Sequence, residues 1–208
     1  MTTVVLVDVC SGNLRSVARA LMASGATVVQ TRDPDFVRKA DKIVVPGQGA
    51  FGPFMRGLAE TGLGEVLTER LRAGTSYLGI CLGMQVLFEQ SQEQGPLPGL
   101  GLIAGQVERL RGGPGLKIPH MGWNQVQRPA DRTTDPMLHG IADGAFVYFV
   151  HSYAVRPSDP NVIALTTDYG GDFCSAVRQD NLFACQFHPE KSQAVGLAIL
   201  RNFVEDKR

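Results

Sequence analysis

The chain has 208 residues, with 20 Lys and Arg balanced by 20 Asp and Glu, and 44% of its residues are hydrophobic. That length suits one domain, residues 1–208, with a sizeable buried core, and the absence of net charge removes the electrostatic case for a nucleic-acid or anionic-membrane partner. The first apolar run, Val4 to Val7, is broken by Asp8 and is too short for a signal-peptide core or a membrane span, so a cytoplasmic location is expected.

Residues 3–8 form an apolar strand, and helical spacing over 14–23 stops at Gly25. A second strand covers 26–31, a helix begins around Asp33-Pro34-Asp35, and a third strand over 42–46 runs into Gly47-Gln48-Gly49. A helix is predicted over 54–72, a strand over 77–80, and a helix from Leu82 through about Phe88. This alternation predicts an α/β fold with an open, mainly parallel central sheet and helices on both faces. Beyond Leu102 the pattern changes to strands at 102–110, 123–127, 146–155 and 162–167, then a hairpin over 173–187 turning at Asp180-Asn181. These add an antiparallel or mixed extension to the sheet. A helix over 192–204, with Ser192 as N-cap, closes the chain.

The segment Gly79-Ile80-Cys81-Leu82-Gly83 places a cysteine between two glycines at a strand-to-helix junction. A nucleophile at such an elbow occupies strained backbone, and its neighbours must lack bulk so that strand and helix pass closely. The N-terminus of the following helix stabilises a thiolate. The other cysteines, Cys10, Cys174 and Cys185, form no Cys-x-x-Cys pair and are expected as free thiols without a catalytic role.

A cysteine nucleophile needs a base to carry the proton and an acceptor to orient that base. His188-Pro189-Glu190 supplies both just past the last strand, where proline ends the pairing. An oxyanion hole needs two backbone N–H donors. Leu82, directly after the cysteine, offers one, and the loop Gly47-Gln48-Gly49 at a neighbouring strand end offers the other. His139 is expected in a solvated loop, and His120 and His151 lack the i,i+4 spacing of a helical metal site, so no metal is expected.

Together Pro46-Gly-Gln-Gly49, Gly79-Ile-Cys-Leu-Gly-Met-Gln85 and His188-Pro-Glu190 resemble the class I, or triad, glutamine amidotransferases across essentially the whole chain. Ser11-Gly-Asn-Leu-Arg-Ser16, Pro119-His-Met-Gly-Trp-Asn124, His151-Ser-Tyr153 and Phe187-His-Pro-Glu-Lys-Ser192 narrow the resemblance to the glutaminase subunits of imidazole glycerol phosphate synthase. The resemblance implies hydrolysis of glutamine to glutamate and ammonia, with no cofactor. The ammonia would pass to a separate (β/α)8-barrel cyclase subunit in a heterodimer, which makes imidazole glycerol phosphate and an aminoimidazole carboxamide ribonucleotide for histidine biosynthesis. It further implies that Gln85, Glu93, Ser152 and Tyr153 hold the glutamine backbone, and that Asn13, His120, Met121, Gly122, Trp123, Asn124 and Lys191 face the partner. Where many relatives carry valine in the oxyanion loop, this chain has Gln48, a change that leaves a backbone donor in place. The alternatives are a glutaminase subunit of another synthase, of the vitamin B6 or anthranilate type, and a non-catalytic regulatory subunit of the same fold.

Overall fold

The computed structural model describes residues 2–9, 13–113, 115–129 and 134–206. Cys10, Ser11 and Gly12 lie outside these described residues.

Four strands open the fold: β1 (Thr2–Val7), β2 (Ala26–Thr31), β3 (Lys42–Gly47) and β4 (Ser76–Cys81). Strand geometry sends successive side chains to opposite faces. Val4 and Leu6 accordingly join a core with α1 (Leu14–Ala23) and α6 (Gln193–Glu205). Val5 and Val7 join a second core with α2 (Pro34–Arg38), α3 (Phe51–Glu60) and α4 (Leu63–Arg72) on the other side. Burial on both faces is why β1, β3 and β4 are continuous apolar runs rather than alternating ones.

The parallel strands lie in the order β2-β1-β3-β4-β13, where β13 is Leu182–Cys185. The sheet continues through β12 (Asp172–Gln179), β10 (Tyr153–Pro157), β7 (Ile103–Arg109), β5 (Phe88–Ser91) and β6 (Leu97–Pro98), with β11 (Ile163–Asp168) paired to β12. These added pairings are antiparallel except for β5 with β7. The predicted α/β architecture, a parallel half joined to a mixed extension, is the one observed, and the hairpin turns at Asp180-Asn181. Two further strands, β8 (His120–Gln125) and β9 (Phe146–His151), form a two-stranded ribbon of their own.

Several predicted boundaries change, each for a physical reason. The helix expected over 54–72 starts earlier, at Phe51, and is two helices, because Gly62 adopts φ +70° and ends the first. The helix expected from Leu82 to Phe88 is a single turn, α5 (Leu82–Gln85). The carbonyls of Val86, Leu87 and Phe88 receive the N–H groups of Leu100, Leu102, Ile103 and Gly101, a pairing with a distant segment that draws this stretch out of the helix. That distant segment turns Phe88 into the start of β5. The strand expected over 146–155 is divided at Ser152, with β9 in the ribbon and β10 in the main sheet. Ser192 does not cap α6 with its side chain. Its hydroxyl donates to the His188 carbonyl at 2.7 Å and accepts from the Tyr148 N–H at 3.0 Å, tying β9 to the turn after β13.

Candidate active site

Cys81 ends β4 with φ 56° and ψ −107°, a backbone conformation that costs a non-glycine residue about 1–3 kcal/mol. The flanking glycines make the turn possible. A Cβ on Gly83 would lie 1.9 Å from the Val45 carbonyl oxygen, and one on Gly79 would lie 2.5 Å from the Gly83 carbonyl oxygen. The Tyr77 hydroxyl, buried beneath the elbow, donates to that same Gly83 carbonyl at 2.7 Å. Gly47 pairs with Cys81 in the β3–β4 register, and a Cβ there would lie 2.5 Å from Leu82 Cβ. Gly49 differs: it has φ +98° and open space around it, so its glycine serves conformation rather than close approach.

His188 follows β13, whose Cys185 is in register with Ile80, so the turn after β13 arrives beside the elbow. Its Nδ1 lies 2.9 Å from Glu190 Oε1, and the two side chains are 2% and 1% exposed. Burial alone would lower the imidazole. The neighbouring Cys81 and Glu190 side chains outweigh it and hold His188 at about 9. Below that pH the ring is an imidazolium, the natural counter-ion of a thiolate. His188 Nε2 is buried and makes no hydrogen bond of ordinary length among the described residues, so the nearby Cys81 side chain is the group with which it can exchange a proton. The remaining described cysteines are chemically quiet: burial pushes the Cys174 thiol up to about 12 and raises that of Cys185 well above its ordinary value.

A cavity of about 390 Å³ opens onto Cys81 and His188. Gln48, Gly49 and Leu82 line it, as do Gln85, Glu93, Ser152, Tyr153 and Lys191, with Pro119, Val150 and His151 in the rest of its wall. Glu93 already has one role there, since its Oε2 accepts the Phe51 N–H at the start of α3 at 2.7 Å. Residues from six separated stretches of sequence therefore line one cavity together with Cys81.

A family model described as glutamine amidotransferase class-I matches residues 5–207. The chain belongs to the class-I glutamine amidotransferases. A protein of Acinetobacter baylyi named imidazole glycerol phosphate synthase subunit HisH is 48% identical over 205 residues, covering 99% of this chain and 98% of that protein. A protein of the same name from Geobacter sulfurreducens is 48% identical over 212 residues, covering all of both chains. A crystal structure of a glutamine amidotransferase superposes with a TM-score of 0.76 at 21% identity, covering 97% of each chain, which shows the shared fold.

The remaining residues singled out in this class-I glutamine amidotransferase lie on the ribbon, beside it at Lys191, and before α1 at Asn13. β8 alternates: Met121 and Trp123 are 62% and 46% exposed, while His120 is buried and Gly122 and Asn124 are half-buried. His120 thus departs from the expected partner-facing position. It is buried, stacked between Phe149 and Tyr169, and its Nδ1 lies 2.9 Å from His151 Nε2. The pair faces each other across the β8–β9 register, and burial pushes His120 to about 4 and His151 to about 3, so both rings are neutral at pH 7. Asn124 Nδ2 lies 3.3 Å from His120 Nε2 and donates to the Asp168 carbonyl at 2.9 Å. Lys191 extends over the Tyr148 ring, and Asn13 precedes α1, accepting the Ser16 hydroxyl at 2.7 Å. Phe146, 54% exposed, joins Trp123 beside a shallow hollow at the start of α6 and was not singled out by sequence. Gln186 was also missed, although it is fully buried and its Nε2 donates to Cys81 Sγ at 3.4 Å.

Proposed function

We propose that residues 1–208 act as one glutaminase domain that hydrolyses glutamine and hands the ammonia to a separate (β/α)8-barrel cyclase subunit of an imidazole glycerol phosphate synthase. The observation that carries the reading is the buried pairing of His188 with Glu190 beside a strained cysteine in a cavity of substrate size. Glutamine lies with its α-groups against Gln85, Glu93, Ser152 and Tyr153, and the Glu93 carboxylate suits the substrate ammonium. The Cys81 thiolate attacks the side-chain carbonyl carbon. Backbone N–H groups of Leu82 and of the Gly47-Gln48-Gly49 loop hold the negative oxygen. His188 gives its Nε2 proton to the departing ammonia, leaving a thioester, and then takes a proton from the water that hydrolyses it to glutamate.

The exposed side chains of Met121 and Trp123, with the half-buried Gly122 and Asn124 beside them, form the partner-facing surface in this reading, and Asn13 and Lys191 are expected to meet the partner as well. Uncoupled hydrolysis would waste glutamine and release ammonia to water, so the isolated chain is expected to be slow and the partner with its acceptor nucleotide to activate it. A reoriented Gly47-Gln48 peptide is a sufficient switch, since one oxyanion donor is worth about 10²–10³ in rate. Steady-state glutamine hydrolysis, with and without the cyclase subunit and its nucleotide, tests both statements. Activation of about a hundredfold or more is expected, full activity in the isolated chain overturns the switch, and no hydrolysis in any arm overturns the glutaminase reading.

The division of labour within the triad is a second measurable expectation. His188→Ala removes the group that moves the proton and should cost about 10⁵ in kcat. Glu190→Gln leaves an imidazole without its carboxylate, so His188 falls from about 9 and its orientation loosens, a loss of about 10³. Both rates are to be taken on variants with wild-type circular dichroism, and equal or reversed losses would contradict these roles.

A further inference from the structure

We propose that Gln186 is a positioning residue for the nucleophile, a fixed amide donor that favours the Cys81 thiolate over the thiol; this deepens the glutaminase reading and rests on Cys81 being its nucleophile. The triad motifs stop short of it. β13 runs parallel to β4 with Cys185 level with Ile80, so the next residue, Gln186, comes level with Cys81. Its backbone is secured by its N–H to the Ser175 carbonyl at 2.9 Å, and its side chain is closed off from solvent.

The amide can present only one end to the sulfur. Tyr153 offers a carbonyl oxygen, which only accepts, so the end of Gln85 that meets it at 3.1 Å must be Nε2. The same Gln85 Nε2 lies 2.9 Å from the Gln186 side chain, which must therefore turn Oε1 towards it. That leaves Gln186 Nε2, a donor without acceptor capacity, facing Cys81 Sγ at 3.4 Å. The Tyr153 carbonyl is itself held by a second donor, His151 Nδ1 at 2.9 Å, whose other ring nitrogen accepts from His120 Nδ1. Every link in this chain has a fixed direction, and reversing the Gln186 amide would set its oxygen against the sulfur and its Nε2 against the Gln85 Nε2, donor against donor.

A donor aimed at sulfur stabilises the anion more than the thiol. It also leaves the thiol proton no acceptor on this side, steering it to His188 Nε2, which is otherwise unpartnered. The helix turn after Cys81 is only four residues long, so a helix end contributes little there, and a side-chain donor adds to what the His188 imidazolium supplies.

The test is the rate of Cys81 alkylation by iodoacetamide against pH, read by peptide mass spectrometry, in the wild type, Gln186→Leu and Gln186→Glu. It needs neither glutamine nor partner, so it remains decisive if glutamine hydrolysis measured on the same samples proves absent. Gln186→Leu should move the inflection up by about one pH unit and slow alkylation about tenfold below both inflections. Gln186→Glu, nearly the same shape, should move it at least as far by replacing the donor with an acceptor. Cys174 and Cys185 report on the fold, since they stay unlabelled while the core is intact. If the leucine variant exposes them, the glutamate variant decides. An inflection unchanged or lowered in the folded variants overturns the proposal.

Discussion

Gly83→Ala is expected to lower the melting temperature by roughly 6–12 °C and to cost most of the activity. The added methyl would sit 1.9 Å from the Val45 carbonyl oxygen and 3.0 Å from its carbon, both backbone atoms with no rotamer to escape into. β3 and the turn after Cys81 must separate by more than an ångström. That breaks the close packing of the elbow and disturbs the Tyr77 hydroxyl bond to the Gly83 carbonyl. Overpacking of this kind costs about 3 kcal/mol, and for a chain of this length each kcal/mol is worth about 2–4 °C. Because Gly47 pairs with Cys81 across the same gap, the oxyanion loop shifts with it. Gly49→Ala is the control: it meets only its positive φ and open space, about 1–2 kcal/mol. A Gly83→Ala protein melting within 2 °C of wild type would show that the elbow is not so tightly closed.

Cys81→Ala should reduce glutamine hydrolysis by at least about 10⁴ with little change in melting temperature. Cys81 is 7% exposed and its sulfur fills little volume, so its loss removes chemistry rather than packing. In the assembled complex, synthesis from added ammonium salts should persist, because the acceptor reaction does not pass through the sulfur. Cys174→Ala and Cys185→Ala should affect stability at most, being buried thiols held far from the thiolate form. Glutamine consumption near the wild-type rate in Cys81→Ala would remove it from the nucleophile's role.

The parallel half of the sheet was legible because doubly buried strands are continuous apolar runs, and glycine or proline marks most of their ends. The single helical turn at Leu82 was not, since Val86-Leu87-Phe88 continues a helical spacing perfectly well. What stops it is a set of carbonyls claimed by residues 100–103, a contact the local pattern does not carry. β5 and β6 hid for the same reason, with Glu89 and Gln90 exposed between the buried ends of β5. Cys81, His188 and Glu190 were visible because each lies in a short motif whose parts are adjacent in sequence. Gln186 sits only two residues from His188, yet the glutamine that orients it is 101 residues away. His120 was misplaced because the resemblance assigns its whole segment to one surface, whereas strand alternation sends neighbours to opposite sides.

The ribbon has a consequence for how force reaches the reaction. Cys81 is anchored in the large sheet, but the His188 N–H hangs from the Tyr148 carbonyl of β9 at 2.9 Å, with Ser192 clamping the same two residues. Cys81 and His188 are thus carried by neighbouring strands of one sheet, while the ribbon takes hold of the His188 end alone, with Met121 and Trp123 exposed on its other strand. In the glutaminase reading, a load on that exposed edge reaches His188 before the cavity floor at Gln85 and Leu82, and it is expected to show in kcat before it shows in KM.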